Sequence, residues 1–178
     1  HNATAIWAQD DNLTVWSSTQ GSFGVRSQTA GLLGLPESRV KVNYVEIGGG
    51  FGGKTKVYFA PIAALLSRKS GGRPVKFVMD RSSVFEASGP APGGKIRMKI
   101  GVNKDGKITA FEMDTLAGIG PYSMAPRSST IETNQVLNLS GGCYPIQNYR
   151  ARGRIAFQTL AMTSGYRGVG HPLAMAIT

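Results

Sequence analysis

Gly48-Gly49-Gly50-Phe51-Gly52-Gly53-Lys54-Thr55 sets five glycines around one aromatic and closes on a lysine. A β-rich run, Val40 to Ile47, leads into it, and a segment with helical apolar spacing follows. Strand, glycine loop and helix in that order predict an anion site. Glycine lets the backbone turn tightly and approach a ligand, and N–H groups at a helix start face negative charge. The run also matches the Walker A pattern: Gly48, four residues, then Gly53-Lys54-Thr55. Phe51 fits that reading poorly, because a phosphate cradle works through backbone N–H groups and a lysine. An aromatic held between glycines is aimed at something flat or bulky.

Upstream, Ala3 to Ala8 and Leu13 to Ser17 are short β-rich runs separated by Asp10-Asp11-Asn12, a predicted hairpin. Ser18-Thr19-Gln20-Gly21 follows, and the plain reading of Gln20 is a polar loop residue. Ser22 is placed to cap a helix carrying Val25, Thr29, Leu32 and Leu33 on one face, with Gly34 and Pro36 as the stop. Downstream, Phe59, Ile62, Ala63 and Leu66 have the spacing of one buried helix stripe. Pro61 must then sit near the helix start, and a Walker helix starting at its lysine would place it inside the second turn. Gly71-Gly72 ends that helix. Val75 to Asp80 is a strand ending in a carboxylate. Asp80 is a magnesium-holding acid on the Walker reading; the reading preferred is a cap for a helix from Arg81 to Ala87.

Past the breaker-rich Gly89–Gly94, Ile96, Met98, Ile100 and Val102 alternate with Lys95, Arg97 and Lys99, the pattern of a half-buried strand. Asn103-Lys104-Asp105-Gly106 is a hairpin turn, and Lys107 to Asp114 returns. Leu116 to Pro126 reads as partly loop, Ile131 to Leu139 as a short helix, and Tyr149 to Gln158 as a strand with Arg150, Arg152 and Arg154 on one face. Gly165-Tyr166-Arg167-Gly168-Val169-Gly170-His171-Pro172 is the second glycine-rich constellation. Its guanidinium, flanked by tyrosine and glycine, either meets an oxo or phosphate group or simply faces water. His171 precedes a proline and is expected to be extended. The fold class expected is α+β: mixed or antiparallel sheets with a few packed helices, and sub-lobes over 1–90 and 91–178.

The 178 residues suffice for one domain or two small ones. The chain opens at His1 without a leader region and has no run long enough to cross a membrane, so a processed or excised piece of a larger protein is expected. Cys143 is the single cysteine, which excludes an internal disulfide framework and a thiolate metal cluster. A cytoplasmic location is the expectation. The formal charge of +10 points to an anionic partner: nucleic acid, a phosphate-bearing cofactor or an acidic protein surface. It is equally what a fragment offset by the rest of its parent would carry. Two histidines, one of them at the start, make no metal site, and no Ser–His–Asp or Cys–His dyad stands out.

Ser18-Thr19-Gln20, then Gly48 to Lys54, then Tyr166-Arg167-Gly168-Val169-Gly170, in that order, resemble the molybdenum-binding large subunit of the xanthine dehydrogenase/aldehyde oxidase family. Gly72-Arg73-Pro74-Val75-Lys76, Asp80-Arg81 and Asp105-Gly106-Lys107-Ile108 fit as well. The likeness covers nearly the whole chain and corresponds to the family's first molybdopterin-binding domain. Tyr166 to Gly170 and the valine and tyrosine after Lys54 look nearer to carbon-monoxide-dehydrogenase-like members than to purine hydroxylases.

The resemblance implies a hydroxylase acting on an aldehyde, N-heterocycle or similar small-molecule carbon centre, with water as oxygen source. It implies a molybdenum–molybdopterin cofactor, with the cytosine dinucleotide form as a candidate, and iron–sulfur clusters and FAD on partner domains or subunits. Gln20 matches the glutamine that hydrogen-bonds an oxygen ligand on molybdenum. Phe51, with Gly50 and Gly52 beside it, matches the loop phenylalanine next to the metal. Arg167 and Gly168 match the arginine and glycine lining the molybdenum centre. Gln20, Phe51 and Arg167 thus face molybdenum without ligating it, since the pterin dithiolene holds the metal. The family's catalytic glutamate lies in a later domain, so no catalytic residue is expected in this chain, and the isolated piece is expected to lack turnover. Thr55 stands where purine hydroxylases carry glutamate, Gln135 near their substrate arginine, and Val169 where they place a stacking phenylalanine. A purine substrate is therefore not expected. The resemblance leaves no role for nucleic acid or a membrane. A P-loop nucleotide domain and a basic nucleic-acid-binding module are the competing readings; the second lacks a recognised motif and an aromatic stacking platform.

Overall fold

The computed structural model describes residues 1–123 and 128–177. The chain divides into two compact units, His1–Ser88 and Gly89–Thr178.

In the first unit, strands β1 (Asn2–Trp7) and β2 (Leu13–Ser17) form the expected hairpin, with alternate residues buried. Asp11 turns it with φ +62°, and the Trp7 indole N–H donates to the Asp11 carboxylate at 3.0 Å. Helix α1 (Ser22–Leu33) then carries the chain to β3 (Val40–Tyr44), which lies parallel to β2. After the glycine loop come α2 (Ala60–Lys69), β4 (Val75–Val78) and α3 (Arg81–Ala87). The sheet order is β3-β2-β1-β4, with β4 antiparallel to β1. Ala3, Ala5, Leu13, Val15, Val25, Ala63 and Ala64 form the centre of one core.

Three expectations change here. Ser22 is the first helical residue rather than the cap: Gly21 is the N-cap, and the Val25 N–H donates to its carbonyl at 3.1 Å. Leu32 is 69% exposed, and Ala30 is buried instead. The buried stripe of α2 is displaced by one residue, to Ala60, Ala63, Ala64 and Ser67, while Ile62, Leu65 and Leu66 face outward. The reason is close approach. The Trp7 N–H donates to the Ser67 hydroxyl at 2.9 Å, and a helix that near a strand has room only for small side chains. Pro61 does sit in the first turn, where its missing donor costs nothing. Asp80 caps α3, accepting from the Ser83 N–H at 2.7 Å.

In the second unit, β5 (Gly93–Val102) and β6 (Ile108–Ile119) form an antiparallel hairpin. A crossover through α4 (Ile131–Leu139) then brings β7 (Asn148–Phe157) parallel to β6, so this half is not purely hairpin-built. α5 (His171–Met175) packs beside α4. Phe111, Met113 and Val136 make the core, and the Phe111 ring stacks on Tyr149 at 5.5 Å. Leu116 to Ile119 continue β6 rather than looping; Pro126, at the end of that expected loop, lies outside the described residues. On β5 the predicted half-burial fails: Met98, Ile100 and Val102 are about half exposed, and only Ile96 packs against the core. His171 is helical, not extended. The restriction before proline is a bias, and the left-handed Gly170, φ +76°, delivers the chain straight into the first turn. The architecture is α+β, with two mixed sheets of four and three strands.

Candidate functional site

In the first unit, Gln20 and the glycine loop meet. The Gln20 side-chain oxygen accepts from the Gly52 N–H at 2.9 Å and the Lys54 N–H at 3.1 Å, and the Gln20 N–H donates to the Lys54 carbonyl at 3.0 Å. Two N–H donors fix the orientation of the amide. The oxygen is committed to the loop, which leaves the NH2 group as the donor this exposed side chain has to offer. Buried Thr19 reinforces the tie, its hydroxyl donating to the Lys54 carbonyl at 3.2 Å and accepting from the Gly21 N–H at 3.1 Å.

Two glycines around this contact have distinct reasons. A Cβ on Gly50 would run into the Gln20 side chain, reaching Cδ at 2.5 Å. A Cβ on Gly49 would strike the Phe51 ring at 2.8 Å, so the ring lies over that residue. Phe51 itself has φ +50° and is 53% exposed. A left-handed conformation is uncommon for an aromatic, and here it holds a large apolar ring toward solvent.

The same geometry removes the nucleotide-cradle reading. α2 begins at Ala60, so the loop does not open a helix, and the expected helix-start anion site is absent. The four amides of the loop's second half are already paired: Gly52 and Lys54 to Gln20, Gly53 to the Gly50 carbonyl at 2.8 Å, and Thr55 to the Gly52 carbonyl at 3.4 Å. Lys54 turns inward. Its ammonium donates to the Ser18 hydroxyl at 2.6 Å and to the Ile47 carbonyl. Burial pushes the Lys54 ammonium below its ordinary pKa. Asp80 is engaged as a helix cap.

In the second unit, Arg167 and Gly168 lie on an exposed turn. Gly168 has φ +114°, and its carbonyl accepts from the His171 N–H at 2.8 Å. The turn is held from beneath by a residue no local pattern singles out. Glu132, on α4 and only 8% exposed, accepts from the Gly170 N–H at 2.7 Å. Lys56, just beyond the first loop, is likewise buried, and burial lowers its pKa. A single acid inside a helix and a lysine in an irregular segment carry no periodic signal, so neither was legible.

Among the described residues no group of three or more His, Cys, Asp or Glu is placed to hold a metal ion. A hollow of about 760 Å³ between the β5–β6 turn and residues 144–147 includes none of Gln20, Phe51 or Arg167. No helix among the described residues is long and apolar enough to cross a membrane.

Residues 1–178 match the family model described as a molybdopterin cofactor-binding domain. The chain is 34% identical over 168 residues to the putative xanthine dehydrogenase molybdenum-binding subunit XdhA of Escherichia coli (strain K12), covering 93% of this chain and 22% of that protein. It is 33% identical over 178 residues to the xanthine dehydrogenase of Oryza sativa subsp. japonica, covering 98% of this chain and 13% of that one. Among solved structures, quinoline 2-oxidoreductase from Pseudomonas putida 86 superposes with a TM-score of 0.88 at 28% identity, over 95% of this chain and 22% of that chain. The chain thus spans about a fifth or less of the length of these relatives. With its whole length inside one family model and a third of its residues shared with such subunits, the chain belongs to the molybdopterin cofactor-binding domains of the xanthine dehydrogenase-type molybdenum oxidoreductases.

Proposed function

We propose that this domain supplies part of the molybdenum-cofactor pocket of a hydroxylase whose substrate is an aldehyde, an N-heterocycle or a similar small molecule. The observation that carries the reading is the Gln20 amide, pinned at its oxygen by Gly52 and Lys54 on an exposed side chain whose NH2 group remains to donate. The residues present suit a cofactor that brings its own metal ligands: a fixed neutral donor, a glycine loop with open space at Gly48, and an exposed ring held by a left-handed residue. When bound, the molybdenum cofactor supplies the two-electron oxidation of a carbon centre, with water as the source of the inserted oxygen. Gln20 donates to an oxygen carried by the cofactor, pre-oriented so that no reorganisation is required. Gly50 leaves room for the Gln20 side chain to reach the loop, Gly52 supplies one of the N–H groups that orient it, and Phe51 closes one wall. Arg167 and Gly168, on a turn of the second unit, are proposed as further cofactor-binding residues on the family resemblance alone. The general base and the electron-transfer centres, iron–sulfur and flavin, lie elsewhere in the larger protein.

Gln20→Glu in the intact protein tests this. The variant keeps the oxygen that ties Gly52 and Lys54 and replaces the remaining donor with an acceptor. Turnover is expected to fall by about 10²-fold, the usual cost of one preorganised donor, with bound molybdenum and loop protection retained. Unchanged turnover at full molybdenum loading would remove Gln20 from the pocket.

A further inference from the structure

We propose that β5 accepts an additional strand: an extended partner segment whose residues alternate apolar and acidic, laid along the free edge from Lys95 to Ile100. β5 is an edge strand of the β5-β6-β7 sheet, and eight of its ten residues are exposed. Its two faces differ in chemistry. Lys95, Arg97 and Lys99 form one exposed row. Met98, 45% exposed, and Ile100, 49% exposed, form the other.

Proteins often blunt an edge with lysine to discourage pairing. Blunting accounts for the cationic row and leaves the apolar row unexplained. A strand protected only against aggregation has no reason to present methionine and isoleucine half bare on its second face. Both rows are explained by a partner that fits both.

The fold already contains the pattern of that partner. On its paired side β5 meets β6 with Arg97 opposite Asp114, Met98 opposite Met113, Lys99 opposite Glu112 and Ile100 opposite Phe111. In register, acid stands opposite cation at two positions of one face and apolar opposite apolar at two positions of the other, while Lys95 meets Leu116, Ile96 meets Thr115, and Asp114 is itself ion-paired to Arg154 of β7 at 2.9 Å. An incoming strand on the open side meets the same rows and gains from the same alternation. A second copy of β5 does not: its cations would oppose these cations on the shared face, and like charges directly opposite destabilise. The register shift between Gly101 and Val102 ends the regular ladder and sets the far limit of the window.

Residue-resolved hydrogen exchange on the intact protein reads the result directly. A strand bonded on one side protects alternate amides; a strand bonded on both protects consecutive ones. Consecutive protection across residues 96–100 is expected. A photo-cross-linking phenylalanine analogue in place of Met98 is expected to join a segment carrying Asp or Glu at alternate positions. Lys95→Glu faces Leu116 on β6 rather than an acid, so it leaves the inner ladder intact. It is expected to speed exchange of the outer amide set by about fivefold, one opposed charge pair's worth. Alternate-only protection overturns the proposal. So does a cross-link to β5 of another copy, to a helix or to an acid-free strand, and so does unchanged outer exchange in Lys95→Glu.

Discussion

The two glycine-rich loops, residues 48–55 and 165–172, each have backbone N–H groups held by one side-chain oxygen acceptor from far away in the chain, and the two ties differ in kind. Gln20 holds the first through a neutral amide on an exposed side chain, so one end grips the loop while the NH2 end stays available. Glu132 holds the second through a buried carboxylate, which accepts hydrogen bonds and has none to give. The first anchor is itself part of a presented surface. The second is scaffold: its loop is buried at the anchored Gly170 and exposed at Tyr166 and Arg167. Similar glycine-rich composition thus serves two designs.

If that contrast holds, substitutions at the second loop's anchor, Gly170 and Glu132, cost mainly stability. Gly170→Ala is the severest expected change. At φ +76° an alanine is strained, and its Cβ would lie 2.7 Å from the Gln135 Cβ and 2.9 Å from the Glu132 carbonyl. Strain and overpacking together predict a loss of about 3 kcal/mol, read as faster exchange across α4 and α5. Glu132→Ala comes next. It orphans the Gly170 N–H in a buried place and is expected to cost about 2 kcal/mol by the same measurement; an unchanged exchange rate there would show that the carboxylate is not the anchor. In the first loop, Gly48→Ala tests the other side of the contrast. Gly48 has φ +61°, but a Cβ there meets nothing within 4 Å. Only the left-handed conformation is penalised, at about 1 kcal/mol, and a loss as large as that at Gly170 would erase the difference between the loops.

Local periodicity delivered the elements and missed what distance decides. The hairpin, the strand before the loop, the α2 segment and α4 are all visible in spacing and breakers. The phase of α2 is not, because what selects Ala60, Ala63, Ala64 and Ser67 is the nearness of β1. The exposure of β5 is not either, since alternation reports two different faces and says nothing of whether anything covers them. The Gln20–loop contact joins residues 32 and 34 positions apart, and its residues drew notice through family resemblance rather than through pattern. Glu132 and Lys56 lie beyond both routes, each a single charged residue whose burial is a property of the packed structure.

Lys54 gives the finest test, because its ammonium is the one loop group whose charge the fold makes costly. Burial lowers its pKa from the ordinary 10.5, so the folded chain holds that proton less tightly than the unfolded chain does. Between the lowered value and 10.5 the unfolded state binds more protons, and stability therefore rises as pH rises through that window. Below the window the folded state bears the full desolvation cost, offset by donation to Ser18 and Ile47. Lys54→Met is expected to flatten part of this alkaline rise, seen as local opening of residues 48–55 against pH. It leaves the portion due to Lys56, which burial shifts in the same direction. An alkaline slope identical in the variant would mean that Lys54 is solvated in the folded chain, and that Gln20 and Thr19 tie the loop to the segment after β2 without its ammonium.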